Sequence, residues 1–224
     1  MAQQIAVIGL GMFGSTIAKN LYQMGHNVLA IDSDARLVEE HRGVTTYPVQ
    51  ADATVETVLR ELGIQNYDIV VVAIGTDVTA NIMATVLLLS LGVKEERLIV
   101  RAENELHADT LRRMGIGRVV SPEKEMGSRL AHTMFSQSMP DYLSLTPSYG
   151  IGLMKLPPSF INKSLKDIGL GGARDRYHAA VLALRRSRNV VLSPDEDEHL
   201  QEGDWLVLAG SDEQLEKVVD LLSE

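Results

Sequence analysis

Short apolar runs alternate with amphipathic stretches over residues 1 to about 120. Runs of strand length, rich in Val, Ile and Leu, occur at Ile5–Ile8, Asn27–Ile31, Thr45–Val49, Ile69–Ala73, Leu98–Val100 and Arg118–Val120. Helical spacing between them marks Phe13–Met24, Ala35–His41, Val55–Leu62, Thr79–Leu91 and Leu106–Met114. Continuous apolar strands that alternate with helices are typical of a parallel sheet covered on both faces. We therefore predict a doubly wound, Rossmann-like domain over residues 1–121.

The pattern changes after Ser121-Pro122, where Glu123–Gln137 has the periodicity of one more helix. Its apolar residues fall on one face, among them Met126, Leu130, Met134 and Phe135. Such a stripe is explained by ordinary core packing or, because it joins two different patterns, by a crossover and dimerisation helix. We assign residues 122–140 to this helix and its linker.

Residues 141–224 contain shorter segments with the composition of strands, and we predict a small α+β domain there. The expected strands are Tyr142–Leu145, Gly150–Lys155, Ala179–Leu184, Val190–Leu192 and Trp205–Ala209. A final helix is expected over Asp212–Leu222, with its apolar residues on one side. The predicted architecture is therefore an α/β nucleotide-binding domain, a crossover helix and a second, smaller domain.

Composition and charge exclude several classes of function. The 224 residues include 21 Lys and Arg against 30 Asp and Glu, a formal charge of −9, and aromatic residues make up only 4%. Neither phosphate neutralisation nor base stacking is favoured, so no nucleic-acid partner is expected. The absence of cysteine excludes disulfides and thiolate metal sites. The apolar runs are shorter than the roughly 20 residues that span a bilayer, so we expect no direct membrane insertion.

A glycine-rich loop follows the first predicted strand and opens the first predicted helix, with Gly9, Gly11 and Gly14 in the spacing of a dinucleotide-binding loop. In this context the three glycines allow a tight turn, close approach to a pyrophosphate and close packing of the helix. Met12 precedes the predicted helix and Phe13 begins it, and the first amides and positive dipole end of this helix favour phosphate. The alternative is a glycine turn that binds no ligand.

Asp32 ends the second predicted strand, where a carboxylate can accept hydrogen bonds from both ribose hydroxyls. A 2′-phosphate would be repelled there, so NADP is disfavoured relative to NAD, ATP or ADP. Ser33 follows it at the same edge. The alternative role of Asp32 is to cap the helix near Ala35, although Ser33 or Asp34 could serve equally well.

Further candidate residues follow the next strands. A side chain at Asp52, before Ala53, can reach the adenine or the ribose, or can instead cap the helix beginning at Val55. Small residues at the fourth strand end leave room for an adenosine at Ala73, Ile74 and Gly75. Arg101 ends the fifth strand and can pair with a nearby acid such as Glu103 or contact a phosphate.

The sequence shows no recognisable catalytic constellation. It contains no Tyr-x-x-x-Lys pair, no Gly-x-Ser-x-Gly elbow and no Gly-Lys-Ser/Thr loop, and its six histidines are scattered. A nicotinamide enzyme needs an acid–base group and a substrate domain of some size. We predict a protein that binds a nucleotide without catalysis. The rival interpretation is an NAD-linked oxidoreductase or a redox sensor that uses the same site.

These motifs, in this order, resemble the regulators of K⁺ conductance (RCK), whose first domain is also called the TrkA-type N-terminal domain. The resemblance lies in Ile-Ala-Val-Ile-Gly-Leu-Gly-Met-Phe-Gly, Gly-His-Asn-Val-Leu-Ala-Ile-Asp, Ala-Asp-Ala-Thr, Val-Val-Val-Ala-Ile-Gly and Val-Val-Ser-Pro-Glu-Lys-Glu-Met-Gly. From about residue 157 to 222 the chain is similar to the C-terminal RCK domain, through Ser164–Ile168, Val181–Arg185 and Glu202–Gly210. The likeness therefore covers nearly the whole chain.

The resemblance implies a cytoplasmic gating subunit of a Ktr/Trk-type potassium uptake system. Such subunits form homodimers and then an octameric ring at the inner face of the membrane, beneath a membrane-embedded subunit that translocates potassium. ATP or ADP would bind through Gly9, Gly11, Gly14, Asp32 and Asp52 and change the conformation of the ring. Met12 stands where relatives that respond to the γ-phosphate often have Arg, so NAD(H) becomes a competing ligand.

Two further ligands follow from the resemblance alone. Glu123 matches a family carboxylate near the phosphates and the dimer interface, where Mg²⁺ or Na⁺ can be held; as a first-turn helix residue it also has an ordinary structural role. In several relatives the C-terminal domain binds cyclic di-AMP. The matching region here contains Asn162, Ile168, Arg174 and Tyr177, for which surface exposure and packing are the alternative.

Overall fold

A computed structural model describes residues 2–134, 139–146, 148–171 and 176–223. The chain divides into two compact units, Met1–Glu123 and Lys124–Glu224, which are described separately.

The first unit alternates strands and helices throughout. Its strands are β1 (Gln4–Ile8), β2 (Asn27–Asp32), β3 (Tyr47–Gln50), β4 (Ile69–Val72), β5 (Leu98–Arg101) and β6 (Arg118–Val120). Its helices are α1 (Met12–Gln23), α2 (Ala35–Glu40), α3 (Glu56–Glu61), α4 (Val78–Ser90) and α5 (Glu105–Arg113). All neighbouring strands pair in parallel, in the order β3-β2-β1-β4-β5-β6. This is the doubly wound topology predicted from the sequence.

Burial explains why the apolar runs form central strands. Ile5–Ile8 and Val70–Val72 are buried on both faces of the sheet. Helices cover both faces, and the buried residues form one cluster on each side of the sheet. Predicted and observed boundaries differ at several element ends; β3, for example, begins at Tyr47 rather than Thr45, whose hydroxyl instead bonds the His41 carbonyl at 3.1 Å.

Helix α6 (Pro122–Thr133) follows β6, and every side chain along it is exposed or half-buried. Met126, Leu130 and Met134 are each nearly 60% exposed at spacings of four residues. Within unit 2 taken alone, this stripe is therefore not part of a core. Phe135 and Gln137, which the sequence placed on the same helix, lie outside the described residues.

The second unit contains a five-stranded antiparallel sheet and a terminal helix. Its strands are β7 (Asp141–Thr146), β8 (Tyr149–Lys155), β9 (Ala180–Arg186), β10 (Asn189–Leu192) and β11 (Trp205–Ser211). They are ordered β10-β9-β11-β8-β7, and α7 (Asp212–Ser223) follows β11. The predicted α/β fold with a small α+β second domain is confirmed.

The described core of the second unit is mostly apolar, but it includes one buried carboxylate. Met154, Leu184, Leu206 and Leu208 are fully buried. The carboxylate of Asp204 is also fully buried and accepts hydrogen bonds from Arg186, the shortest at 2.8 Å. This pairing raises the pKa of Arg186, with hydrogen bonding to Asp204 as the main cause. Across the described ranges, none of the helices is both long enough and apolar enough to span a membrane.

Candidate nucleotide-binding cleft

A cleft of about 390 Å³ opens at the carboxyl ends of the parallel strands, where β1 and β4 lie side by side. In this topology the chain leaves β1 and β4 toward opposite faces of the sheet, so a crevice forms between their ends. Most of the sequence-predicted residues line the cleft: Gly9, Gly11, Met12, Asp32, Ser33, Asp52, Ala53, Ala73, Ile74, Gly75 and Arg101. Phe13 and Gly14 do not line it.

The glycine loop is shaped by backbone contacts. Gly9 has φ +96°, a left-handed conformation that other residues adopt at a cost, and its amide donates to the Ile31 carbonyl at 2.8 Å. Gly14 acts by close packing, because a Cβ there would overlap the carbonyl oxygen of Gly9 and press against the Ala73 side chain. Gly14 thus positions α1 against the sheet.

The N-terminus of α1 is open toward the cleft. Its N-cap, Gly11, has extended backbone and caps the helix with no side chain, so the first-turn amides remain suited to an anion. Met12, the first helical residue, is 89% exposed. The structure therefore places an uncharged side chain at the edge where the phosphates of a nucleotide would lie.

Asp32 holds the loop with both carboxylate oxygens. Oδ2 accepts from the Leu10 amide at 2.6 Å, and Oδ1 accepts from the Asp34 amide at 2.8 Å. Asp34 itself caps α2 by accepting from the Arg36 amide at 2.8 Å. The capping alternative for Asp32 is thus wrong, because Asp34 takes that role.

Asp52 lies on the wall of the cleft in a local turn. Its Oδ1 accepts from the Thr54 amide at 2.8 Å and from the Thr54 hydroxyl at 2.7 Å. These bonds lower the pKa of Asp52, the hydroxyl bond being the largest cause. The helix-capping alternative is wrong here too, since Val55 occupies the N-cap of α3 and makes no side-chain cap bond.

Arg101 reaches the cleft from the end of β5, and its guanidinium pairs with the carboxylate of Glu123. The expected partner Glu103 is not the one used; its amide instead donates to Nδ1 of His107 at 3.3 Å. Strands β5 and β6 are parallel neighbours, so their carboxyl ends meet and bring Arg101 beside the start of α6.

Several wall residues escaped the sequence interpretation: Ile8, Ile31, Leu37, Ala51, Thr54, Thr76, Asp77 and Ala80. Thr76 and Asp77 directly follow the predicted Ala73–Gly75 segment. Extending that strand end by two residues would have found them, because all carboxyl ends of a parallel sheet share one edge. Asp77 also caps α4 by accepting from the Ala80 amide at 2.9 Å.

The described wall of the cleft offers carboxylates, hydroxyls and one guanidinium, but no histidine, tyrosine or lysine. No group of three metal-ligating side chains occurs in the part of the chain that the structure describes. Of the four residues matched to cyclic di-AMP binding, Ile168 is buried in the core of the second unit, and Arg174 lies outside the described residues.

Comparison with models of known families assigns the chain to one of them. The TrkA-N domain model matches residues 5–122, more than half of the sequence, and the TrkA-C domain model matches residues 154–223. This chain belongs to the TrkA-N family. The resemblance to regulators of K⁺ conductance is thereby confirmed, and the matched TrkA-N region contains the whole lining of the cleft.

Relatives of the TrkA-N chain match over nearly their full length. This chain is 34% identical over 215 residues to the Ktr system potassium uptake protein A of Bacillus subtilis, and the match covers 96% of this chain and 95% of the relative. It is 35% identical over 211 residues to the Ktr system potassium uptake protein C of the same organism, covering 94% and 93%. Both relatives are named for potassium uptake.

Solved structures with the same fold include a channel. The GsuK channel is 27% identical, with a TM-score of 0.52 over 97% of this TrkA-N chain and 38% of that one. The GsuK channel bound to NAD is 25% identical, with a TM-score of 0.50 over 98% of this chain and 38% of that one. This chain thus spans well under half the length of the channel.

Proposed function

We propose that this chain is a regulatory subunit of a potassium uptake system and that an adenine nucleotide, bound in the β1/β4 cleft, controls it. The observation that carries the proposal is the cleft itself. A glycine loop, an α1 terminus without a side-chain cap and the Asp32 carboxylate meet at the switch point of the sheet. The potassium uptake proteins of Bacillus subtilis support the regulatory part.

The ligand classes are ATP, ADP and NAD(H). Each contains an adenosine whose ribose hydroxyls can donate to the Asp32 carboxylate, and phosphates that suit the first turn of α1. The NAD-bound GsuK structure supports a dinucleotide. A 2′-phosphate would face the Asp32 carboxylate, so NADPH is the poorest member of the series.

Binding rather than catalysis is the proposed role of the site. A hydride-transfer enzyme needs a proton donor or acceptor close to its substrate. The described cleft wall supplies no histidine, tyrosine or lysine for this task. The oxidoreductase and redox-sensor alternatives therefore have less support than a ligand-controlled switch, in which a nucleotide acts through different affinities for two conformations.

The proposed partners are a membrane-embedded, potassium-translocating subunit and further copies of this chain, forming homodimers and an octameric ring in the cytoplasm. The exposed stripe Met126 and Leu130 on α6 and Met134 directly after it supports a contact between copies, because apolar side chains at helical spacing gain free energy when they are covered. Docking on the membrane subunit would place the ring at the inner face of the membrane.

Two further ligands belong to the proposal. Mg²⁺ or Na⁺ would use the exposed Glu123 carboxylate, with phosphates or a second copy completing the coordination. Cyclic di-AMP would bind the second unit near Asn162 and Tyr177; the burial of Ile168 favours packing as its own role.

Calorimetric titration of nucleotide-stripped protein with ATP, ADP, NADH and NADPH in the presence of Mg²⁺ tests the proposal. Binding of ATP, ADP or NADH, weaker binding of NADPH and no turnover of any ligand are the expected results. Absence of binding by all four would mean that the glycine loop is only a turn. Turnover of NADH with a carbonyl substrate would instead support the oxidoreductase.

A further inference from the structure

The cleft is poor in positive charge. Its described wall contains three carboxylates, Asp32, Asp52 and Asp77, and a single cationic side chain, Arg101. A nucleotide phosphate entering this site therefore meets a negative field. Apart from the α1 amides, Arg101 is the group on the wall that can offset the charge.

The backbone of Arg101 is held firmly at the end of β5. Asn81, a fully buried residue of α4, donates through Nδ2 to the carbonyl of Ile74 at 2.7 Å and to that of Arg101 at 3.0 Å. One amide group thus joins the ends of β4 and β5. The position from which the Arg101 side chain starts is fixed relative to the cleft.

The Arg101 guanidinium packs against the Phe13 ring and the backbone of Gly75. Its Cζ lies 5.8 Å from the centre of the Phe13 ring, and it packs so closely on Gly75 that a Cβ there would overlap it. The Arg101 side chain is only 18% exposed. Its Nη2 pairs with Glu123, while its buried Nε has no hydrogen-bond partner among the described residues. The side chain therefore has unused donor capacity beside the cleft.

We propose that Arg101 senses the phosphate charge of the ligand and that Glu123 competes with the phosphate for it. The inference rests on the proposed nucleotide site and names the group that regulates it. Carboxylate and phosphate oxygens accept from the same guanidinium donors, so a ligand phosphate and Glu123 are alternative partners. The competition strengthens with each added phosphate charge.

The competition also affects Glu123, the partner of Arg101 at the start of α6. Glu123 is the second residue of α6 and its side chain is 63% exposed. When a phosphate takes the guanidinium, this carboxylate loses its ion pair at the start of the helix that leads into the second unit. A ligand with more phosphate charge would therefore release Glu123 more completely than one with less.

The test is a titration series with adenosine, AMP, ADP and ATP at fixed ionic strength, with EDTA present so that no divalent cation binds Glu123. The variants are Arg101→Gln, Glu123→Gln and their combination. Arg112→Gln is the matched control, because Arg112 pairs with Glu105 and Asp109 on α5 and lies off the cleft wall.

Three results are expected together. Arg101→Gln weakens ATP binding by about tenfold or more, as loss of a charged hydrogen bond predicts, and leaves adenosine binding unchanged. Glu123→Gln tightens ATP more than AMP. In the Arg101→Gln background, Glu123→Gln has no such effect, which separates competition for the guanidinium from a general loss of negative charge.

Equal ATP affinities in all variants, or a Glu123→Gln effect that persists without Arg101, would overturn this inference while nucleotide binding itself stands. Failure of adenosine and every nucleotide to bind the unmodified protein would overturn the proposed function and this inference with it. If Arg101→Gln does not fold, Arg101→Met replaces it, since Met keeps an apolar side chain against Phe13 and removes the charge.

Discussion

The carboxylate of Asp32 accepts from the Leu10 amide at 2.6 Å and from the Asp34 amide at 2.8 Å. It therefore orders the glycine loop, and it lies on the wall of the cleft. Preorganisation of this kind lowers the cost of ligand binding. A single side chain thus links the end of β2 to the phosphate loop.

Replacing Asp32 with Ala removes the ribose acceptor and leaves the Leu10 amide without its partner. We expect ATP, ADP and NADH to bind at least about tenfold more weakly, since hydrogen bonds to charged groups contribute about 1.5–3 kcal/mol. Calorimetry measures the change. Asp109→Ala, which removes an exposed carboxylate on α5, is the control and should keep full affinity. Unchanged affinity in Asp32→Ala would exclude Asp32 from the site.

Met12→Arg tests the uncharged position at the start of α1. The side chain is 89% exposed, so a longer cation fits without repacking and adds positive charge near the phosphates. We predict that the variant binds ATP more tightly and increases the ratio of ATP to ADP affinity. Met24→Arg is the control, because Met24 is 75% exposed at the opposite end of α1. An unchanged ratio in Met12→Arg would contradict the placement of the phosphates.

The sequence predicted which residues lie at the cleft where the course of the backbone decides this. It did not predict side-chain partners, because these depend on the direction of each side chain. Gly9 directly follows β1 and Asp32 ends β2, and the carboxyl ends of these strands must meet, so the positions of both residues in the cleft were predictable. The pairing of Arg101 with Glu123 rather than Glu103 was not, since it depends on the direction that the Arg101 side chain takes from the end of β5. Gly14 packs α1 against the sheet, as the loop spacing predicted, and does not line the cleft.

At the scale of elements, continuous apolar runs identified the central strands because these are buried on both faces, and helical spacing identified the helices between them. Caps were harder to predict, since neighbouring side chains compete for the same amides: Asp34 caps α2, while Asp32 binds the loop.

Helix α5 contains a buried histidine that the sequence pattern did not reveal. His107 is only 3% exposed, and burial lowers the pKa of its imidazole below the usual 6.5.

The lowered pKa makes stability depend on pH through His107. Below its ordinary pKa the unfolded chain takes up a proton that the folded chain does not, so stability falls as the pH decreases from about 7.5 to about 5.5. We predict a smaller loss for His107→Gln, measured by urea unfolding at both values. His26→Gln, at a half-buried position beyond α1, is the control. An equal loss in His107→Gln and the unmodified protein would contradict this account.

At the scale of the molecule, the chain combines a nucleotide-binding unit with a second unit whose fold the sequence predicted only by class. The β10-β9-β11-β8-β7 order depends on long-range antiparallel pairing that local patterns do not specify. The packing within a single copy of the chain does not explain why the apolar side chains of the α6 stripe are exposed. Its apolar residues fit the crossover and dimerisation alternative better than core packing.

Charged residues on this stripe should prevent association. We predict that Met126→Glu combined with Leu130→Glu converts an oligomer to a monomer, because burying carboxylates without partners is strongly unfavourable. Light scattering coupled to size exclusion gives the mass. Leu106→Glu is the control, since Leu106 is 80% exposed on α5 and does not belong to the stripe. An unchanged mass in the double variant would exclude α6 as the contact.

Potassium uptake tests the central claim most directly. Cells that normally make this chain are deprived of it and then supplied with either the unmodified protein or Asp32→Ala, and the initial rate of K⁺ uptake is measured. We predict that loss of the chain changes the rate, that the unmodified protein restores it and that Asp32→Ala does not. An uptake rate that is the same with and without the chain would contradict its assignment as a regulatory subunit.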